Sequence, residues 1–161
     1  MNRRMVICLD GTWNQTYKEE KRSDGHSLIK PSNVLKLSRS VLPICSKGVS
    51  QVSYYDSGVG GHPLYPGVGN YLLHKVDKLL GGYLGVGFEA NIEEAITFLV
   101  NNFEENDDVF IFGFSRGAAT ARALLNFIVW LEGVPQKNDA YFIPFLLRRY
   151  ISSQGKEKAT D

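Results

Sequence analysis

"VFIFGFSRGAATARALL", residues 109–125, decides the fold class: six apolar residues with no charge end at a serine between two glycines, Gly113-Phe114-Ser115-Arg116-Gly117, and an alanine-rich run follows. Six apolar residues in a row suit a strand buried on both faces. The stretch from Arg116 to Leu131 has no proline and only Gly117 as a weak helix former, and so predicts a helix. A strand that turns sharply into a helix at a serine can project the hydroxyl clear of the sheet. Small residues two before and two after are needed because the turn brings backbones close, and Gly113 and Gly117 meet that need. The new helix directs backbone N–H groups and a positive dipole end at the same place, so the N–H of Arg116 is a candidate oxyanion donor. The five-residue pattern also fits a plain helix-capping serine. At this point Ser115 is either a nucleophile or an N-cap.

Outward from that turn, the rest of the chain predicts an α/β fold, a parallel sheet with flanking helices. Met5–Leu9 is a short apolar run closed by Asp10-Gly11, a first strand. Pro31-Ser32 offers an N-cap for a helix carrying Val34, Leu37 and Val41, which stops near Pro43. Gln51–Tyr55 is a second strand, closed by Asp56-Ser57-Gly58. Residues Asn14 to Lys30 read as a polar loop. Gly58 to Gly87 holds nine of the chain's 16 glycines, which predicts irregular backbone, a long loop or lid. Phe88, Ile92, Ala95, Ile96, Leu99, Val100 and Phe103 recur at three- and four-residue steps, the strongest helical period present. Tyr141 to Tyr150 forms one more amphipathic piece. Residues 1–150 are expected to form the N-terminal portion of one domain, and 151–161 a disordered polar tail. Strand, helix, strand, helix, strand, helix implies parallel pairing through crossovers.

Composition narrows the function. A net charge of +1 over 161 residues sets up no field to gather nucleic acid. No stretch approaches the roughly 20 apolar residues of a membrane span, and the N-terminus lacks a signal peptide's apolar core, so the protein is expected to be made in the cytoplasm. Cys8 and Cys45 give no disulfide framework. No metal-ligand cluster and no cofactor is implied. Gly82–Gly87 neither follows a predicted strand nor has a P-loop lysine, which disfavours a nucleotide-binding protein.

In an open parallel sheet the carboxyl ends of the strands gather the site. Asp10-Gly11-Thr12, after the first strand, is therefore the candidate for the second oxyanion donor, although taken alone it reads as easily as a turn with an aspartate cap, and Asp56, after the second, is a weaker candidate for orienting that loop.

Together "LDGTWN" (9–14), "YYDSGVG" (54–60), "GGYLGVGFEANIEEAITFLV" (81–100) and "DDVFIFGFSRGAATARAL" (107–124) resemble the α/β hydrolases known as DUF2235. That family includes the Tle1-type phospholipase effectors of bacterial type VI secretion. The resemblance implies an α/β-hydrolase fold, a serine–histidine–aspartate group, a phospholipid or other ester as substrate, and delivery by a secretion system. On it, Ser115 matches the nucleophile and Asp10 to Thr12 the segment beside the oxyanion site.

The chain departs from the family's order of serine, then acid, then histidine. His26, His62 and His74 all precede Ser115, and none follows it. Three readings follow. The chain is the N-terminal part of a hydrolase, inactive alone, whose C-terminal half or another protein partner supplies the base; or it is a non-catalytic binding module; or His62 or His74 serves as base from the glycine-rich segment.

Overall fold

The computed structural model describes residues 2–11, 19–21, 23–25, 27–58 and 83–157. The expected sheet is there. β1 (Arg4–Leu9) lies between β4 (Gln51–Asp56) and β5 (Asp108–Gly113), parallel to both. Its central place follows from its sequence: Met5 through Leu9 are all buried, which suits a strand covered on two faces. The register sets Leu9 level with Asp56 on one side and with Gly113 on the other. All three strands therefore end at one height, and the residues after them emerge side by side.

Two apolar layers cover the sheet. On one face α1 (Asn33–Ser40) sets Val34 against Val6 and Cys8 of β1, with Leu37, Val41 and Tyr55 alongside. Ser32 caps this helix as expected, accepting the Leu35 N–H at 3.0 Å. On the other face Met5, Ile7 and Leu9 pack against α2 (Tyr83–Asn102), α3 (Arg116–Trp130) and α4 (Ile143–Glu157), through Ile92, Ile96, Leu99, Leu124, Phe127, Ile143 and Leu147. This larger layer contains the predicted stripe of α2, which is fully buried from Ile92 to Val100. Each of its large side chains stabilises the fold by about 1.5–3 kcal/mol through area removed from water.

At the amino edge of the sheet Arg3 ties the start of β1 to the turn before β5. Its Nη2 donates to Asp107 Oδ2 at 2.6 Å and its Nε to Oδ1 at 3.1 Å, while the Glu104 N–H donates to Asp107 Oδ2 at 2.9 Å. Burial pushes the Asp107 carboxyl up, but these donors and the Arg3 charge outweigh it and hold the carboxyl below its ordinary range. Both cysteines are free thiols, Cys8 buried and Cys45 partly so.

Three boundaries differ from expectation. α2 begins at Tyr83, inside the segment predicted irregular through Gly87. Extending an anchored helix needs only propagation, so a buried stripe downstream can carry it through Gly85 and Gly87 although each disfavours helix by about 1 kcal/mol. The supposed polar loop from Asn14 to Lys30 contains a short antiparallel ribbon, β2 (Glu19–Lys21) and β3 (Ser27–Ile29), too brief to leave an alternation in the sequence. The expected disordered tail, 151–161, is helical as far as Glu157, because α4 continues past the apolar face that ends near Tyr150. A 3-10 helix, Lys137–Phe142, precedes it.

Candidate active site

The turn from β5 into α3 is held in one conformation by close backbone approaches. A Cβ added to Gly113 would overlap the carbonyl oxygen of Gly117 and lie 2.7 Å from the Cα of Ala118. One added to Gly117 would overlap the Leu9 carbonyl oxygen and lie 2.5 Å from that of Asp10. The obstructing atoms are backbone and cannot swing aside, so the two glycines seat the start of α3 directly on the end of β1. The Phe114 N–H completes the joint, donating to the Leu9 carbonyl at 3.1 Å.

Ser115 is caught between them. Its backbone lies at φ 54°, ψ −123°, a conformation that residues with a side chain rarely adopt and that costs about 1–3 kcal/mol. Its hydroxyl makes no capping hydrogen bond although the residue occupies the N-cap position, and the residue is exposed. The Ala118 N–H instead donates to the Ser115 carbonyl at 3.0 Å. A capping serine has an extended backbone and an engaged side chain, as Ser32 does here. Ser115 has neither.

The loop after β1 meets this turn from the side. A Cβ on Gly11 would lie 3.0 Å from Ser115 Cβ and 3.2 Å from the Phe114 carbonyl oxygen, so Gly11 lies directly against the serine. Asp10, only 1% exposed, organises the approach. Its Oδ1 accepts the Gly11 N–H at 2.8 Å; its Oδ2 accepts the Tyr55 hydroxyl at 3.0 Å and also the Ser32 hydroxyl. One carboxylate thus joins the β1 loop, the N-terminus of α1 and β4. Burial, then the bond to Asp10, pushes the Tyr55 phenol well above its ordinary value; burial, then the Asp10 charge, also pushes the Cys8 thiol up. The Gly11 N–H is thus engaged by Asp10 in this arrangement.

Asp56 lies at the same edge. Its carbonyl accepts the Asp10 N–H at 2.8 Å, and its Oδ1 accepts the Gly58 N–H at 2.8 Å, which shapes the turn after β4. The structure therefore brings together Ser115, Arg116, Gly113, Gly117, Asp10, Gly11 and Asp56. Thr12, His26, His62 and His74 lie outside the described residues. Sequence reasoning missed Tyr55 and the second role of Ser32; the available signal was the aspartate closing a fully apolar strand, which has to find donors once buried.

A groove of about 430 Å³ lined by Leu131, Val134, Pro135, Phe142, Phe145 and Leu146 lies at the far end of α3. Fifteen helical residues separate that end from Ser115 by about 22 Å, too far for a bond held there to meet the serine.

The profile of the family described as T6SS phospholipase effector Tle1-like, catalytic domain, matches residues 3–161. The chain belongs to that family. A further similarity, 29% identity over 127 residues, is to an uncharacterised protein of Saccharomyces cerevisiae; the match covers 77% of this chain and 17% of the yeast protein. The Tle1-like chain thus spans about a sixth of the length of that relative. No solved structure matches. Among the described residues of this Tle1-like domain no helix is long and apolar enough to cross a membrane.

Proposed function

We propose that this chain carries the nucleophile half of an α/β-hydrolase acyl-hydrolase site, acting on phospholipids or related carboxylic esters, with Ser115 as nucleophile. The observation that carries this reading is the Ser115 backbone: a strained, exposed residue between two closely packed glycines, whose hydroxyl is not used as a cap. Strain of this kind persists where the surroundings over-determine it, and clusters at reactive positions. In the proposed reaction Ser115 Oγ attacks the ester carbonyl and loses its proton to a base, and the carbonyl oxygen takes the charge. The Arg116 N–H, at the first turn of α3, is one donor to that oxygen; the Gly11–Thr12 segment supplies the other, with Asp10 fixing its path. The ester C–O bond then breaks, the alcohol leaves with the proton, and water releases the acid from Ser115.

The base and its orienting acid are proposed to come from a part of the protein outside this sequence, in agreement with the small share of the relative that the chain spans. His62 and His74 are the candidates within it. Family membership supports a lipid substrate and delivery by a secretion system.

The test is labelling of the purified chain with a fluorescent fluorophosphonate beside a Ser115→Ala control. Labelling that is lost in the control supports an activated serine, and the substitutions His62→Ala and His74→Ala then separate an internal base from an external one. A folded chain that never labels, alone or with its remaining portion, favours the binding-module reading instead.

A further inference from the structure

Asp10 reaches the serine turn in two ways. Its backbone lies under the start of α3, since a Cβ on Gly117 would come within 2.5 Å of the Asp10 carbonyl oxygen. Its side chain acts one residue further on. Oδ1 accepts the Gly11 N–H, and Gly11 is the residue that lies against Ser115, where an added Cβ would be 3.0 Å from the serine Cβ. At that separation the wall beside the serine has no room to move inward, and moving outward strains its bond to the carboxylate.

A lone carboxyl group does not hold such a position. The torsion that turns it has broad, roughly two-fold minima, so its oxygens swing unless one of them is held from outside. Here Oδ2 is held from two sides. Ser32, at the N-terminus of α1, and Tyr55, in β4, both donate their hydroxyls to it, from 22 and 45 positions away in the chain. Two packed elements thereby fix the rotation of one buried carboxylate.

The residue types at 32 and 55 match the task of a donor. Serine and aspartate cap helices about equally well, and the Leu35 N–H requires an acceptor and nothing more. A serine accepts that bond and still donates its own proton to Asp10, whereas an ionised aspartate in the same place could only accept. Phenylalanine would likewise fill the room of the Tyr55 ring beside Val6, Cys8 and Val34, so it is the hydroxyl, and not the ring, that the bond to Asp10 uses.

We infer that Ser32 and Tyr55 are positioning residues of the serine site: their two hydroxyls on Asp10 Oδ2 turn Oδ1 toward the Gly11 N–H and so set Gly11 against Ser115. The inference rests on the reading of Ser115 as the nucleophile. Both residues act on the serine through Asp10 and Gly11.

Three substitutions separate this task from a structural one. Tyr55→Phe deletes a hydroxyl and keeps the ring; Ser32→Asp keeps a helix cap and loses the donor; Ser32→Thr keeps both. Nitrogen-15 NMR of the full chain reports on the Gly11 wall without any serine chemistry. In Tyr55→Phe and Ser32→Asp the Gly11 amide should exchange with solvent about tenfold faster or more, relative to the amides of β1, while Ser32→Thr follows the parent. The Ser115 and Arg116 amide resonances should shift in the first two variants and return in the third. Where the parent labels with the fluorophosphonate, the same two variants should label about tenfold more slowly or less, since a misplaced site wall costs orientation, and Ser32→Thr should restore the rate. Gly11, Ser115 and Arg116 amides that do not move in folded Tyr55→Phe overturn the inference, even if the melting temperature falls, because the hydroxyl then serves stability alone. Unslowed labelling of the variants beside a parent that labels also overturns it. If Ser32→Asp does not fold, Tyr55→Phe decides. If Ser115 never labels, the nucleophile reading fails by itself, and the amides still decide whether the two hydroxyls hold Gly11.

Discussion

Replacing Ser115 by glycine is expected to make the protein more stable while removing the hydroxyl proposed as the nucleophile. At φ 54°, ψ −123° the serine Cβ is in conflict with its own backbone, a strain of about 1–3 kcal/mol that glycine does not carry. Glycine's larger freedom in the unfolded chain returns about 0.4–1 kcal/mol of that gain. The net is about 1 kcal/mol in favour of the variant, which for a domain of this size raises the melting temperature by roughly 2–4 °C. The matched comparison is Ser115→Ala, which keeps the Cβ and the strain and deletes only an exposed hydroxyl without a capping bond; it should fall within about 0.5 kcal/mol of the parent. Thermal and urea unfolding of the three proteins side by side gives the answer. A glycine variant no more stable than the alanine variant would show that the turn holds no strain, and the structural support for a reactive serine would go with it.

Gly117→Ala places a methyl group against the Leu9 and Asp10 carbonyl oxygens, so it should lose about 3 kcal/mol or more in urea unfolding and shift the start of α3. Asp10→Ala leaves the Gly11 N–H and the Tyr55 and Ser32 hydroxyls without their shared acceptor; a loss of about 3 kcal/mol is expected, with Asp10→Asn between it and the parent, and weaker fluorophosphonate labelling in both. Because the Asp107 carboxyl is held below its ordinary value, the stability it contributes is present above about pH 4 and is lost as pH falls through its folded value. The stability gap between the parent and Asp107→Asn should therefore narrow in urea melts taken from pH 6 down to pH 3. Tyr54, raised chiefly by burial, and Tyr55, raised by burial and by its bond to Asp10, should both ionise later than a free tyrosine of about pH 10, and Tyr55→Phe should reduce that late component of the ultraviolet titration by one tyrosine.

What the sequence determined by itself was local and periodic. Five apolar residues before Asp10 made β1, the three- and four-residue stripe from Phe88 made most of α2, and the glycines flanking Ser115 marked a turn whose backbones must touch. Each signal lies within a few residues of its effect, so composition and spacing sufficed. Where α2 starts, how far α4 runs, and the β2–β3 ribbon were not legible, because helix propagation from an anchored end and pairing of three-residue strands leave little mark in composition. The sequence left Ser115 open between cap and nucleophile. Only the tertiary structure set it at a positive φ with no capping bond from its hydroxyl, in a turn where the start of α3, at Gly117, seats on the end of β1, at Leu9. The role of Asp10 was likewise decided in three dimensions: its donors come from residues 11, 32 and 55, and a buried carboxylate shows its partners only once the chain has brought them to one edge.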